Sequence, residues 1–372
     1  MLDMMIYVGA STGKSYDPKD FPWHGEAGEL LDLAAFEVSF PLDKIRSRPP
    51  TLWRYLEALP FEKNETSWQE VTMGEGFTPL VPLDTRQPNV LVKVDYHMPT
   101  LSFKDRGAVV LIAKAKSIGA KKLVQDSSGN AGTSIAAYAT RAGMSCTIFV
   151  PDSTSPKRVT QIRAHGAEVK MIPGSGEDTA TAAMDAANER GVFYASHVYN
   201  PYFYQGTKTY AFELWEQLGK APDVLILPVG NGTLLLGCYY GFLDLQRAGL
   251  IETLPRIVAI QAERCAPLAK AFAVGETEAT PVTNEGTVAE GIAIAAPARH
   301  KQILEAIYAT SGVIVTVPEE AIAPARATLA SKGYYVEITT AINYAAYTHH
   351  PTLFSPTETV VIPLCGAGLK SG

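Results

Sequence analysis

The sequence predicts an α/β protein of two doubly wound domains, each a mainly parallel sheet with helices on both faces. Three observations predict it. Short apolar runs alternate with longer Ala-rich or amphipathic runs over most of the chain. Gly-rich turns follow several of the apolar runs. A length of 372 residues with 47% hydrophobic composition supplies core for about two domains.

Residues 1–70 carry little periodicity. Gly9-Ala10-Ser11-Thr12-Gly13-Lys14-Ser15 looks like a phosphate-binding P-loop, but its glycines are too close by one residue, and Pro18 and Pro22 follow where that motif needs a helix. Trp53 to Leu59 predicts a short amphipathic helix ended by Pro60. Val90 to Val94 is an apolar run. Lys121 to Gln125 predicts a strand, Ser127 to Gly132 a turn, and Thr133 to Arg141 a helix ending at Gly143. Cys146 to Val150 is the next strand, stopped by Pro151. Ser155-Pro156 opens a helix to about Ala164, and Glu168 to Ile172 is a strand. Pro222 to Val229 reads as a buried strand, with a Gly turn and an apolar helix from Thr233. Arg256 to Gln261, Ile314 to Val317 and Thr359 to Leu364 add strands, and Ala273 to Glu290 an exposed loop. Repeated βαβ units imply parallel sheets.

Composition excludes several function classes. The net charge is −6 with both signs mixed and no basic block, so no nucleic-acid partner is expected. The most apolar stretch, Val224 to Leu245, is broken by Pro228, Gly230, Asn231 and Gly232, so no membrane span is expected. Asp3 and the lack of a basic N-terminal region argue against a secretory signal. Cys146, Cys238, Cys265 and Cys365 have neither metal-ligand spacing nor disulfide-scaffold density. Reduced thiols, a cytoplasmic location and no metal are the expectation.

The chemistry centres on Lys104, in the run Pro99-Thr100-Leu101-Ser102-Phe103-Lys104-Asp105-Arg106-Gly107. A lysine held beside apolar groups has a lowered pKa, and its neutral amine attacks aldehydes, pyridoxal phosphate among them. A solvated lysine in a first helical turn is the competing reading. Three Gly-rich turns bear on the choice. Ser127-Ser128-Gly129-Asn130-Ala131-Gly132 offers hydroxyls, an amide and backbone N–H groups at a helix N-terminus, an anion site or an ordinary N-cap. Pro228-Val229-Gly230-Asn231-Gly232-Thr233 is a phosphate turn or a generic one. Leu364-Cys365-Gly366-Ala367-Gly368-Leu369-Lys370 follows the last strand. In doubly wound sheets ligands bind at the carboxyl ends of strands. An amine, a carboxylate site, a phosphate site and a polar group for a pyridine ring together are what a pyridoxal enzyme needs.

With these motifs the chain resembles the fold type II pyridoxal-phosphate enzymes, of the tryptophan synthase beta-like architecture, and most of all the threonine synthases. Glu75-Gly76-Phe77-Thr78-Pro79-Leu80 is similar to their N-terminal motif, residues 99–107 to their lysine motif, Ser127-Ser128-Gly129-Asn130 to their asparagine loop, and Gly366 to Lys370 to their C-terminal turn. The resemblance covers about residues 50–372. It implies pyridoxal 5'-phosphate bound covalently to Lys104, which also moves the substrate Cα proton. It implies that Asn130 bonds the cofactor's phenolic oxygen, and that Ser127 and Ser128 hold the substrate carboxylate. Gly230, Asn231, Gly232 and Thr233 would cradle the cofactor phosphate. Cys365 falls where the family places a Thr or Ser facing the pyridine nitrogen. It implies a small amino-acid substrate and a homodimer, with residues 1–106 and 206–372 forming a large domain and 107–205 a smaller inserted one.

Three departures shape the functional expectation. Threonine synthases carry an Arg soon after an Asn-Pro-Tyr run to grip a substrate phosphate, and here Asn200-Pro201-Tyr202 is followed by Phe203. Lys208 is the nearest alternative cation. Cys365 resembles the choice in serine dehydratases, and Glu290-Gly291-Ile292-Ala293 an Asp-Gly turn of hydroxy-amino-acid dehydratases. The expected reaction is elimination, with or without replacement, on a β-hydroxy or O-activated amino acid, with Phe203 lining the substrate site. The alternatives are a true threonine synthase acting on O-phosphohomoserine and a non-catalytic pyridoxal or amino-acid-binding protein. Tyr202 and Tyr204 line the pocket or are structural, Asp105 and Arg106 pair with their surroundings, and His349-His350 reads as a loop.

Overall fold

The computed structural model describes residues 5–370. Asp3 lies outside them. The strands are β1 Tyr7–Gly9, β2 Ser15–Tyr16, β3 Leu31–Leu33, β4 Leu80–Asp84, β5 Gln87–Lys93, β6 Lys122–Gln125, β7 Ser145–Pro151, β8 Glu168–Ile172, β9 Val192–Tyr194, β10 Val224–Pro228, β11 Arg256–Ala262, β12 Val313–Val317 and β13 Val360–Pro363.

The chain forms two compact units: Met1–Glu75 with Lys104–Gly206, and Gly76–Phe103 with Thr207–Gly372. The first holds an antiparallel sheet in the order β2-β1-β3 and a parallel sheet in the order β8-β7-β6-β9. β7, between two neighbours, reads Ser-Cys-Thr-Ile-Phe-Val-Pro and buries five consecutive residues, as a strand covered on both faces must. Against it pack the helix Asn130–Arg141 and the helix Gly176–Ala187, started by a Ser175–Asp178 capping box, and the helix Lys104–Ser117, whose residues 105–115 are all buried, packs on Asn130–Arg141. The order of this sheet reverses between β6 and β9.

The second unit holds one six-stranded sheet in the order β12-β11-β10-β13-β5-β4, parallel except for β4. Val224 pairs with Val360, and Val360 with Val90 on its other side. Here the order reverses between β10 and β13. Reversal leaves a crevice at the carboxyl ends of the two strands, because the connections leave to opposite faces.

The N-terminal region departs from expectation. Residues 5–75, expected with the large domain, pack with the Lys104–Gly206 segment. Tyr7, Leu31, Leu52, Trp53 and Val71 share a core with Val109, Ile112, Tyr138 and Tyr202, and burial there outweighs sequence distance. The P-loop-like run is a turn between β1 and β2, closed by Gly9 N–H donating to the Lys14 carbonyl at 2.8 Å. The short helix expected over Trp53 to Leu59 is a kinked 3-10 helix, Leu52–Ala58. His349 ends the helix Ile338–His349 instead of lying in a loop, and a His350 ring nitrogen bonds the Thr316 carbonyl at 2.9 Å. No helix among the described residues is long and apolar enough to cross a membrane.

Candidate active site

Lys104 opens its helix in the first unit, and two glycines bring another helix against that first turn. A Cβ on Gly206 would lie 1.9 Å from the Arg106 carbonyl oxygen, and one on Gly107 would lie 2.3 Å from the Phe203 ring. The helix Pro201–Thr207 therefore sits at backbone contact, and Phe203 lies over Gly107 with its ring centroid 5.6 Å from Lys104 Nζ. Phe203 is wholly buried. The amine faces an aromatic surface, which attracts a cation weakly and offers nothing to a dianion.

The asparagine loop follows β6. A Cβ on Gly132 would lie 1.8 Å from the Ser127 carbonyl, so only glycine lets the loop fold back on its own helix. Ser127, Ser128, Gly129 and Asn130 are half-buried. Ser134, one turn further on, donates to the wholly buried Asp105 carboxylate at 2.5 Å. That bond ties the asparagine helix to the lysine helix one residue past Lys104. Asp105 is thus a partner between helices, and Tyr204 is structural, donating its hydroxyl to the Val198 carbonyl at 3.0 Å.

His197 is a residue that sequence reasoning missed. It follows β9, across the sheet reversal from the asparagine loop. Its ring lies edge-on to Phe203 at 6.0 Å. Burial first, and the Lys104 ammonium second, hold its pKa well below the ordinary histidine value. At the end of β6, burial pushes the Asp126 carboxyl up, against an opposing pull from Tyr194. A lone histidine in Ser196-His197-Val198 carries no motif.

In the second unit, Gly232 adopts φ +76° and caps the helix Thr233–Arg247. A Cβ on Gly230 would lie 2.9 Å from Ile294, and one on Gly232 2.6 Å from Ile303. The turn is therefore bare backbone at the N-terminus of a long helix, which suits a phosphate dianion. The Thr207 hydroxyl donates to the Thr233 carbonyl at 3.0 Å and steadies that first turn. The Glu290–Ile292 turn packs here, with the Ile292 Cα 3.0 Å from where a Gly230 Cβ would stand.

Cys365 follows β13, across the reversal from this turn. Its thiol is buried beside Asn343, whose amide lies 3.9 Å from Sγ. Burial first, then the Asp95 and Glu337 carboxylates, push the thiol pKa well up, so it stays protonated. The C-terminal turn pairs with the lysine run. Ser102 bridges Gly366, and Phe103 N–H donates to the Cys365 carbonyl at 2.9 Å. Cys365 is thereby fixed to the residue one peptide bond before Lys104.

Lys208, the alternative cation, is committed elsewhere: it pairs with Asp244 at 2.7 Å, both buried. The motif at residues 75–80 is structural support in both units. Glu75 accepts from Trp53 Nε1, the Thr72 hydroxyl, Met73 N–H and Tyr138 hydroxyl. Glu213 accepts from the Phe77 and Thr78 N–H groups and from Lys93, both charges being wholly inaccessible.

The residues present fit pyridoxal phosphate. The first unit supplies an amine at a helix start and an anion loop, and the second supplies a phosphate turn and a neutral buried thiol.

Comparison with known proteins agrees. Residues 71–366 match the family model described as pyridoxal-phosphate dependent enzyme. The threonine synthase of Methanocaldococcus jannaschii is 32% identical, over 96% of this chain and 91% of that protein. The threonine synthase of a Bacillus species is 35% identical, over 86% of this chain and 89% of that protein. The structure of a fungal L-serine ammonia-lyase from Rhizomucor miehei superposes with a TM-score of 0.68 at 24% identity, covering 78% of this chain and 93% of that one. At that identity the last likeness speaks for the fold, which is the fold type II architecture.

Proposed function

Because the chain belongs to the family of pyridoxal-phosphate-dependent enzymes, we propose that it is a lyase removing an uncharged oxygen leaving group from Cβ of an amino acid. The observation that carries this reading is Phe203, buried over Gly107 with its ring beside Lys104, where a phosphate-binding substrate site needs a guanidinium. Lys208 cannot substitute, being paired with Asp244.

Bound pyridoxal phosphate supplies the electron sink that acidifies the amino acid's Cα–H. The chain's own residues do the rest. Gly230, Asn231, Gly232 and Thr233 hold the phosphate with backbone N–H groups and a helix N-terminus. Asn130 bonds the phenolic oxygen, and Cys365 meets the pyridine nitrogen with a protonated thiol, a weak donor that leaves that nitrogen uncharged. Ser127 and Ser128 orient the substrate carboxylate. Lys104 takes the proton from Cα and passes it to the oxygen departing from Cβ, which leaves protonated (as water when it is a hydroxyl), and the enamine released hydrolyses to a 2-oxo acid and ammonia. Four buried cysteines, none of them in a disulfide among the described residues, accord with a cytoplasmic location. A homodimer belongs to the same reading, and sedimentation tests it.

A second reading, threonine formation from O-phosphohomoserine, is favoured by the names of the relatives. It must find a phosphate cation other than residue 203. The test is a turnover screen of serine, threonine and bulkier β-hydroxy amino acids against O-phosphohomoserine. Release of 2-oxo acid from a hydroxy amino acid, with O-phosphohomoserine at least about a hundredfold poorer, supports the first reading; two lost charge-assisted bonds set that scale. Efficient threonine formation establishes the second.

A further inference from the structure

His197 has no task in the reading above, yet the hydrogen bonds around it are specific. Asp126 N–H donates to Gln125 Oε1 at 2.7 Å. A backbone N–H can meet only the amide oxygen, so the Gln125 amide is oriented with its nitrogen outward. That nitrogen lies 3.4 Å from His197 Nδ1. Nδ1 must accept, so the neutral ring carries its proton on Nε2. Gln125 is wholly buried, so this donor is held in place.

Nε2 meets no hydrogen-bond partner among the described residues, and His197, though largely desolvated, keeps part of its surface accessible. It stands after β9 at the sheet reversal, opposite the half-buried Ser127 to Asn130, with Phe203 along its edge. The same crevice thus has an anion loop on one side and an uncharged N–H donor on the other. Nothing else about the ring needs that donor.

We propose that His197 reads the oxygen on Cβ of the substrate, donating an uncharged hydrogen bond from Nε2, and that Gln125 is the residue that positions it by fixing the tautomer. This deepens the preceding reading and rests on it. An uncharged donor suits a hydroxyl, whereas a dianion calls for a cation. The proton stays on Nε2; only the hydrogen bond strengthens as charge grows on the departing oxygen.

The experiment compares the loaded parent, His197→Leu and His197→Gln on a β-hydroxy amino acid and on β-chloroalanine. Chloride needs no donor to leave, so β-chloroalanine also controls for folding and cofactor loading. His197→Leu is expected to lose about tenfold or more in kcat/KM on the hydroxy substrate, mostly in kcat, and to change within about twofold on β-chloroalanine. His197→Gln, whose amide reaches the Nε2 position, is expected to recover most of the loss. Nitrogen-15 NMR of the parent is expected to show the Nε2–H tautomer for His197, and Gln125→Leu a mixture. Equal losses on both substrates, or an Nδ1–H ring in the parent, would overturn the proposal. A parent that turns over no β-hydroxy amino acid overturns the substrate reading itself, and with it this role, whatever the tautomer.

Discussion

Ser134 on the asparagine helix donates to Asp105 on the lysine helix across 2.5 Å, one turn past Asn130 and one residue past Lys104. The helices that carry two groups assigned to neighbouring positions of the cofactor ring are thereby tied by one buried bond. Removing the donor leaves a buried carboxylate with one bond fewer. Ser134→Ala is expected to cost about 1–3 kcal/mol of stability. It should also weaken cofactor affinity, measured by titrating apoprotein with pyridoxal phosphate. Unchanged stability and affinity together would show that the bond positions nothing.

Lys93 and Glu213 form a wholly buried pair at 2.7 Å, and Glu213 also holds the turn at Phe77, whose φ is +48°. Glu213→Ala strands a buried ammonium and releases that turn. The expected loss is about 3–5 kcal/mol, read from chemical unfolding. A double change to apolar residues of similar volume should recover much of it, because the desolvation of both charges then disappears.

The phosphate turn depends on bare backbone. Gly232→Asp adds a Cβ at φ +76° and a negative charge at a helix N-terminus meant for an anion. Cofactor affinity should fall by at least about tenfold, since one charge-assisted contact is worth that much. Gly232→Ala separates steric strain from charge. If both variants bind as the parent does, the phosphate sits elsewhere.

The lysine run, the asparagine loop and the Gly turns were legible because each is local: strand, glycines and helix start lie within a dozen residues of sequence. The parallel sheets followed from the same alternation. Residues 5–75 were not legible, because β1, β2 and β3 are too short for periodicity and their apolar side chains find distant partners. Tyr7, for instance, packs on Tyr202 with ring centroids 5.3 Å apart. His197 was illegible for a related reason. Its meaning comes from Gln125, 72 positions earlier, and from the Phe203 ring. The commitment of Lys208 to Asp244 likewise needed the fold.

Burial keeps His197 neutral, and this has a signed consequence for stability. Its folded pKa lies below the ordinary value of 6.5. As pH falls through about 6.5, the unfolded chain takes a proton that the folded chain refuses, so stability drops. The slope from this group is at most about 1.4 kcal/mol per pH unit. Asp126 acts with the opposite sign: its folded value is raised, so its contribution is lost as pH rises through that value. Unfolding of parent and His197→Gln compared from neutral to mildly acid pH should show the variant losing less stability. Parallel curves would mean that His197 takes up its proton in the fold as readily as in the unfolded chain.

Every step assigned here passes through Lys104, so the most direct measurement is borohydride reduction of the loaded protein followed by peptide mapping. A single pyridoxyl label is expected, on Lys104 within the run Ser102 to Gly107. A label on any other lysine would contradict it, and with it the roles given to Phe203 and His197 beside that amine.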